Sequence, residues 1–144
     1  LSDANRRASD LEQIPLRVQE AVLAAEDRGF YDHGGISPIS IVRAAVNNVF
    51  DSGPWMQGGS TITQQYAKNA FLTQERTWKR KIKEALLAFK LETLVSKEQI
   101  LEDYLNIAFF GRDAYGIEAA AMAYFNKPIQ KIYLSKTTTL MRYV

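Results

Sequence analysis

Gly58-Gly59-Ser60-Thr61-Ile62-Thr63-Gln64-Gln65, followed by Lys68-Asn69 and the run Arg76-Thr77-Trp78-Lys79-Arg80-Lys81-Ile82-Lys83-Glu84, holds both the fold signal and the chemistry of this chain. Thr61 and Gln64 stand at capping-box spacing, where the hydroxyl takes the Gln64 N–H and the Gln64 side chain returns to the Thr61 N–H, so a helix is predicted from there to Ala70. A longer helix is predicted from Arg76 to about Val95. It is heavily charged up to Lys83, whereas Ala85-Leu86-Leu87-Ala88-Phe89 is apolar on every side and predicts entry into the core. Ser96 and Gln99 repeat the capping-box spacing and open a helix over Lys97 to Ala108, with Ile100, Leu101, Leu105 and Ile107 as core.

Upstream, Glu12 to Asp27 reads as a helix with Pro15 in its first turn and a stripe of Val18, Val22 and then Glu26, so the glutamate lies on the apolar face where the helix meets a loop. Gly29 ends this helix and Phe30 to Gly35 makes a turn. Ser37-Pro38 opens a second helix to about Val49. The Gly/Pro break Phe50 to Met56 carries Phe50, Trp55 and Met56, which read either as loop packing or as a lip touching lipid. Downstream, Phe109 to Gly116 is a loop, Ile117 to Phe125 a small-residue helix, and Asn126 a left-handed cap with Pro128 beyond it. No strand pattern or internal repeat is found, so the expected architecture is all-α, with one domain over residues 1–144.

Composition narrows the function classes. With 18 Lys plus Arg against 16 Asp plus Glu, the net charge of +2 gives no argument for nucleic acid. The cations are concentrated instead: Lys68, Arg76, Lys79, Arg80, Lys81, Lys83, Lys90 and Lys97 share their stretch with only Glu75, Glu84 and Glu92. That distribution points to a specific anionic ligand. The absence of cysteine removes disulfides, thiolate metal sites and cysteine nucleophiles. No apolar run reaches the roughly 18 residues of a spanning helix, and the polar start is no secretory signal, so any anchor is expected outside these residues.

Glu26 and Glu84 each sit at a helix border beside apolar residues, a setting suited to general acid/base work. The plainer readings are a salt bridge from Glu26 to Arg28 or Arg80, and neutralisation of Glu84 by Arg80 and Lys81. The basic run favours a transferase. A pyrophosphate leaving group needs charge neutralisation, whereas a glycosidase needs a proton donor for an alkoxide and has little use for a cationic cradle. His33, the single histidine, reads as a hydrogen-bonding brace for the turn beside Glu26, and Ser60 has no histidine at a spacing that suggests a serine nucleophile.

The ordered set Glu26-Asp27-Arg28-Gly29-Phe30-Tyr31-Asp32-His33, Gly59 to Gln65 with Lys68-Asn69, Arg80-Lys81-Ile82-Lys83-Glu84, Lys97 with Ile100 to Asn106, and Tyr115-Gly116-Ile117 through Tyr124-Phe125-Asn126-Lys127 resembles the peptidoglycan glycosyltransferase domain of family 51. That domain occurs in class A penicillin-binding proteins and monofunctional transglycosylases. The match covers about Ile14 to Pro128. The resemblance implies a lysozyme-like helical domain with a small membrane-contacting jaw, here around Ile39 to Met56, that polymerises lipid II into glycan strands at the outer face of the bacterial plasma membrane. It implies Glu26 as general base and Glu84 as a second essential glutamate on the donor's pyrophosphate side, working through cations or a divalent metal, Mg or Mn. Lys68 and Arg76 match residues that hold the donor phosphates. Ser60, Thr61, Gln64, Gln65, Arg80, Lys81 and Lys127 match residues that line or support the cleft, with Asp27, His33, Asn69 and Glu102 in supporting places. Implied partners are lipid II, the growing glycan strand, the membrane surface, cell-wall synthesis proteins and a flanking transpeptidase domain. The alternatives are a lysozyme-like hydrolase or lytic transglycosylase, and a catalytically silent lipid II-binding module. Asn126 stands where the family usually has glycine. After Leu134-Ser135 the family continues with an Ala- and Leu-rich helix, whereas Lys136-Thr137-Thr138-Thr139-Leu140 diverges, so the closing wall of the domain is expected to be incomplete or divergent.

Overall fold

The computed structural model describes residues 8–37, 59–73 and 77–133. Five helices lie within them: α1 (Leu16–Glu26), α2 (Ile62–Phe71), α3 (Trp78–Leu94), α4 (Lys97–Ile107) and α5 (Ile117–Phe125), with short 3-10 turns at Leu11–Gln13 and Ile129–Lys131. No strand occurs among the described residues, and the all-α expectation holds there. The predicted helix beyond Ser37, the jaw segment with Phe50 to Met56, Gly58, Arg76 and the divergent stretch from Leu134 lie outside the described residues.

The capping signals mark helix ends as read. Thr61 Oγ1 accepts the Gln64 N–H at 3.1 Å and Gln64 Oε1 accepts the Thr61 N–H at 2.9 Å, closing the box that starts α2. Ser96 accepts the Gln99 N–H at 3.2 Å and starts α4, but the Gln99 side chain turns to Glu102 and Asp103, so only half of that box forms. Asn126 ends α5 in the left-handed region, at φ 51 and ψ 41, which its short side chain tolerates. The first helix begins later than predicted, at Leu16 instead of Glu12. Pro15 is its N-cap, and the preceding 3-10 turn is tied down by the Gln19 amide, which donates to the carbonyls of Leu11 and Ile14 at 2.9 and 2.8 Å.

The core gathers around α4. Ile100, Leu101, Tyr104 and Leu105 are buried with Val18 and Val22 of α1, Ile62 of α2, and Ile117, Ala120 and Ala121 of α5. Ile107 is only half-buried. The middle of α3 departs most from expectation: instead of diving into the core it buries Glu84 and Ala88, while Leu86 is 66% and Phe89 59% exposed. The cause is packing, because α2 is the one helix against which α3 makes an extended interface among the described residues. Gly35 brings the Phe30–Gly35 turn against α3: with φ +80, a Cβ there would lie 2.8 Å from the Ala88 carbonyl oxygen. The end of α1, the start of α2 and α3 are tied together by the hydrogen bonds Ile62 N–H to Asp27, Thr63 to Glu92 and Lys81 to Ser60.

Candidate active site

Glu26 is the last residue of α1 and half-buried. Its Oε2 accepts a hydrogen bond from Gln65 Nε2 at 2.8 Å, and Gln65 stands in the first turn of α2. Gln65 Oε1 in turn accepts the Tyr104 hydroxyl at 3.3 Å. Neither cation considered as a partner for Glu26 pairs with it: Arg28 Nε donates to the Ala24 carbonyl at 3.1 Å, and Arg80 is on Glu84. Glu26 Oε1 has no partner among the described residues.

Asp27, one residue on, is buried and braces the turn. Its carboxylate meets His33 Nε2 at 2.9 Å and accepts the Ile62 N–H at 3.1 Å, where a carboxylate also complements the positive end of α2. The His33 carbonyl accepts Lys97 Nζ at 2.6 Å, and Lys97 also reaches Glu92 at 2.8 Å and lies 4.5 Å from the centre of the Phe30 ring. Glu92 accepts the Thr63 hydroxyl as well. This network ties the turn after Glu26 to α2, α3 and α4.

The second carboxylate is in the opposite electrostatic state. Glu84 is 1% exposed, its Oε2 accepts Arg80 Nη1 at 2.7 Å and its Oε1 accepts Lys81 Nζ. Lys81 Nζ also donates to Ser60 Oγ at 2.6 Å, which joins α3 to the Gly59-Ser60 entry of α2. The pairing of Glu84 with its helical neighbours is therefore present. Two cations less one carboxylate leave this triad at +1, a positive patch built around a buried anchor. Both Glu84 oxygens are committed to cations, and no grouping of three His, Cys, Asp or Glu occurs among the described residues, so this donor set does not fit a divalent metal near Glu84.

Thr61 and Gln64 are placed by the start of α2. Both are buried and hold each other in the capping box, and Thr61 Oγ1 also donates to the Gly35 carbonyl at 2.6 Å. Lys68 is half-buried on α2 and forms no ion pair with a described residue. Glu102 accepts the Leu11 N–H at 2.7 Å and so fastens the 3-10 turn before α1 to α4. Asn69 and Lys127 are exposed and join neither cluster through a hydrogen bond among the described residues. Tyr104 was missed by sequence reasoning. A tyrosine inside the apolar stripe of α4 does signal a hydroxyl in need of a partner, but that partner lies 39 residues away. Burial, and secondarily the Glu26 charge, push its phenol pKa well above 10.0.

The Transglycosylase family model matches residues 1–144. Over 130 residues the chain is 52% identical to penicillin-binding protein 1A of Aquifex aeolicus, covering 90% of this chain and 18% of that protein. It is 48% identical over 130 residues to penicillin-binding protein 1A of Escherichia coli, covering 90% of this chain and 15% of that protein. It is 45% identical over 136 residues to penicillin-binding protein 1F of Bacillus subtilis, covering 94% and 19%. The chain spans under a fifth of the length of these relatives.

Proposed function

The chain belongs to the transglycosylase family, and from that premise we propose an inverting polymerase of lipid II in which Glu26 takes the proton and the cations of α2 and α3 take the leaving group. The observation that carries the reading is the opposite state of the two glutamates. Among the described residues Glu26 has one oxygen held by Gln65 and the other without a partner, and no cation pairs with it, whereas Glu84 is saturated by Arg80 and Lys81.

An acceptor sugar hydroxyl placed at Glu26 Oε1 gives up its proton as its oxygen attacks the donor's anomeric carbon from the face opposite the phosphate. The carbon–oxygen bond to the pyrophosphate breaks with its electron pair on the leaving group, and the configuration inverts. A diphosphate needs no proton at that point, so the chain's task there is electrostatic: Lys68 and Arg76 are assigned to the phosphates, and the Arg80–Lys81–Glu84 triad adds its positive field. A glycan hydrolase would need a protonated second carboxyl at the leaving oxygen. Both Glu84 oxygens are taken instead by Arg80 and Lys81, an arrangement that serves a cationic patch.

We further assign the domain to the outer face of the bacterial plasma membrane, working on lipid II and a growing glycan beside a transpeptidase domain and other cell-wall synthesis proteins. No helix among the described residues is long and apolar enough to cross a membrane. Support for a membrane-facing surface comes from α3, where Trp78, Ile82, Leu86 and Phe89 form an exposed apolar ridge with the exposed cations Lys79, Lys83 and Lys90 beside it. Incubating the full-length protein with labelled lipid II in detergent tests the activity. Glycan ladders on a gel are expected. Muropeptides released from purified sacculi without lipid II would select the hydrolase, and lipid II binding without polymer the silent module.

A further inference from the structure

We propose that Tyr104 is a positioning residue for the Glu26 carboxylate, acting through the side-chain amide of Gln65. The inference rests on the reading of Glu26 as the base.

Tyr104 is 1% exposed and sits in the apolar cluster with Leu101, Leu105 and Ile62, so its ring is fixed by packing on a rigid helix. Its hydroxyl donates to Gln65 Oε1 at 3.3 Å. Gln65 presents its NH2 group to Glu26 Oε2 at 2.8 Å, and the two bonds select the same amide orientation. A flipped amide would set its carbonyl oxygen against the carboxylate and remove the acceptor from the phenol. Burial and the Glu26 charge both oppose loss of the Tyr104 proton, so the phenol stays a donor. One oxygen of Glu26 is thereby held from the core, and the other has no partner among the described residues. Proton transfer depends steeply on such alignment, and an anchor on α4 supplies it more rigidly than a cleft-lining side chain alone.

The test is a mutant cycle in the full-length protein, measuring lipid II polymerisation. Tyr104→Phe keeps the ring and removes only the donor. It is expected to lower kcat roughly tenfold, the size of one lost hydrogen bond, with KM for lipid II within about twofold because the hydroxyl touches no substrate. Gln65→Leu is expected to lower kcat at least as far, and the double variant no further than Gln65→Leu alone. A merely structural tyrosine would lower activity in the Gln65→Leu background by the same factor as in the parent. That multiplication overturns the proposal, as does a parental kcat in Tyr104→Phe. Glu26→Gln is run alongside: if it remains active, the reading of the base fails. If it is inactive while Tyr104→Phe is unimpaired, only the role of Tyr104 fails.

Discussion

At the residue scale, the two glutamates should respond differently to the same substitution. Glu84→Gln leaves Arg80 and Lys81 around a buried amide, and losing one member of a buried charge cluster costs about 2 kcal/mol or more after allowance for the partial exposure of Lys81. Glu26→Gln removes no ion pair, so its stability should stay within roughly 0.5 kcal/mol of the parent. Urea midpoints check both, and equal midpoints would contradict the assignment of opposite roles. Tyr66 makes a second residue-scale prediction. Its phenol is pushed from 10.0 up to about 12 by burial and by the hydrogen bond to Asp103. The folded state favours the protonated phenol, so this contribution to stability is complete below pH 10.0 and is lost as pH rises toward about 12. In Tyr66→Phe the fall in melting temperature across that window should be shallower.

At the scale of elements, the start of α2 organises the site. Thr61 closes the capping box and reaches the Gly35 carbonyl, so Thr61→Ala should cost roughly 1 to 2 kcal/mol, read as a lower melting temperature. Gly35→Ala should cost at least as much, because its Cβ would meet a backbone oxygen of α3 and its φ is positive. These elements were legible in the sequence where the signal is local: the Thr61/Gln64 box, the Ser96 cap and the Asn126 cap rest on neighbours within one turn. The burial of α3 was not. Apolar residues on every side of Leu86 to Phe89 cannot show which neighbour covers each face, and among the described residues α2 is the helix that covers α3 extensively. The same holds for Tyr104, whose place on a helix stripe is local but whose tie to Glu26 is set by the approach of α1, α2 and α4.

At the scale of the molecule, Glu26, the proposed base, stands at the end of α1, its hydrogen-bond chain runs through Gln65 of α2 to Tyr104 of α4, and the positive patch lies on the polar half of α3. Only the assembled helices bring these together, which is why motif order could point to the residues without their division of labour. The ridge on α3 yields a prediction at this scale. Ile82→Glu with Leu86→Glu should lower binding of the protein to anionic lipid vesicles several-fold while leaving the melting temperature nearly unchanged, since both side chains are exposed. Unchanged vesicle binding would remove α3 from the membrane-facing surface. The central claim is that the Glu26 carboxylate, and no other acid at the site, takes the acceptor's proton. Steady-state polymerisation of labelled lipid II by full-length Glu26→Gln tests it most directly: the rate should fall about a hundredfold or more, as expected for loss of a general base, with lipid II still bound, and glycan ladders formed at a near-parental rate would contradict it.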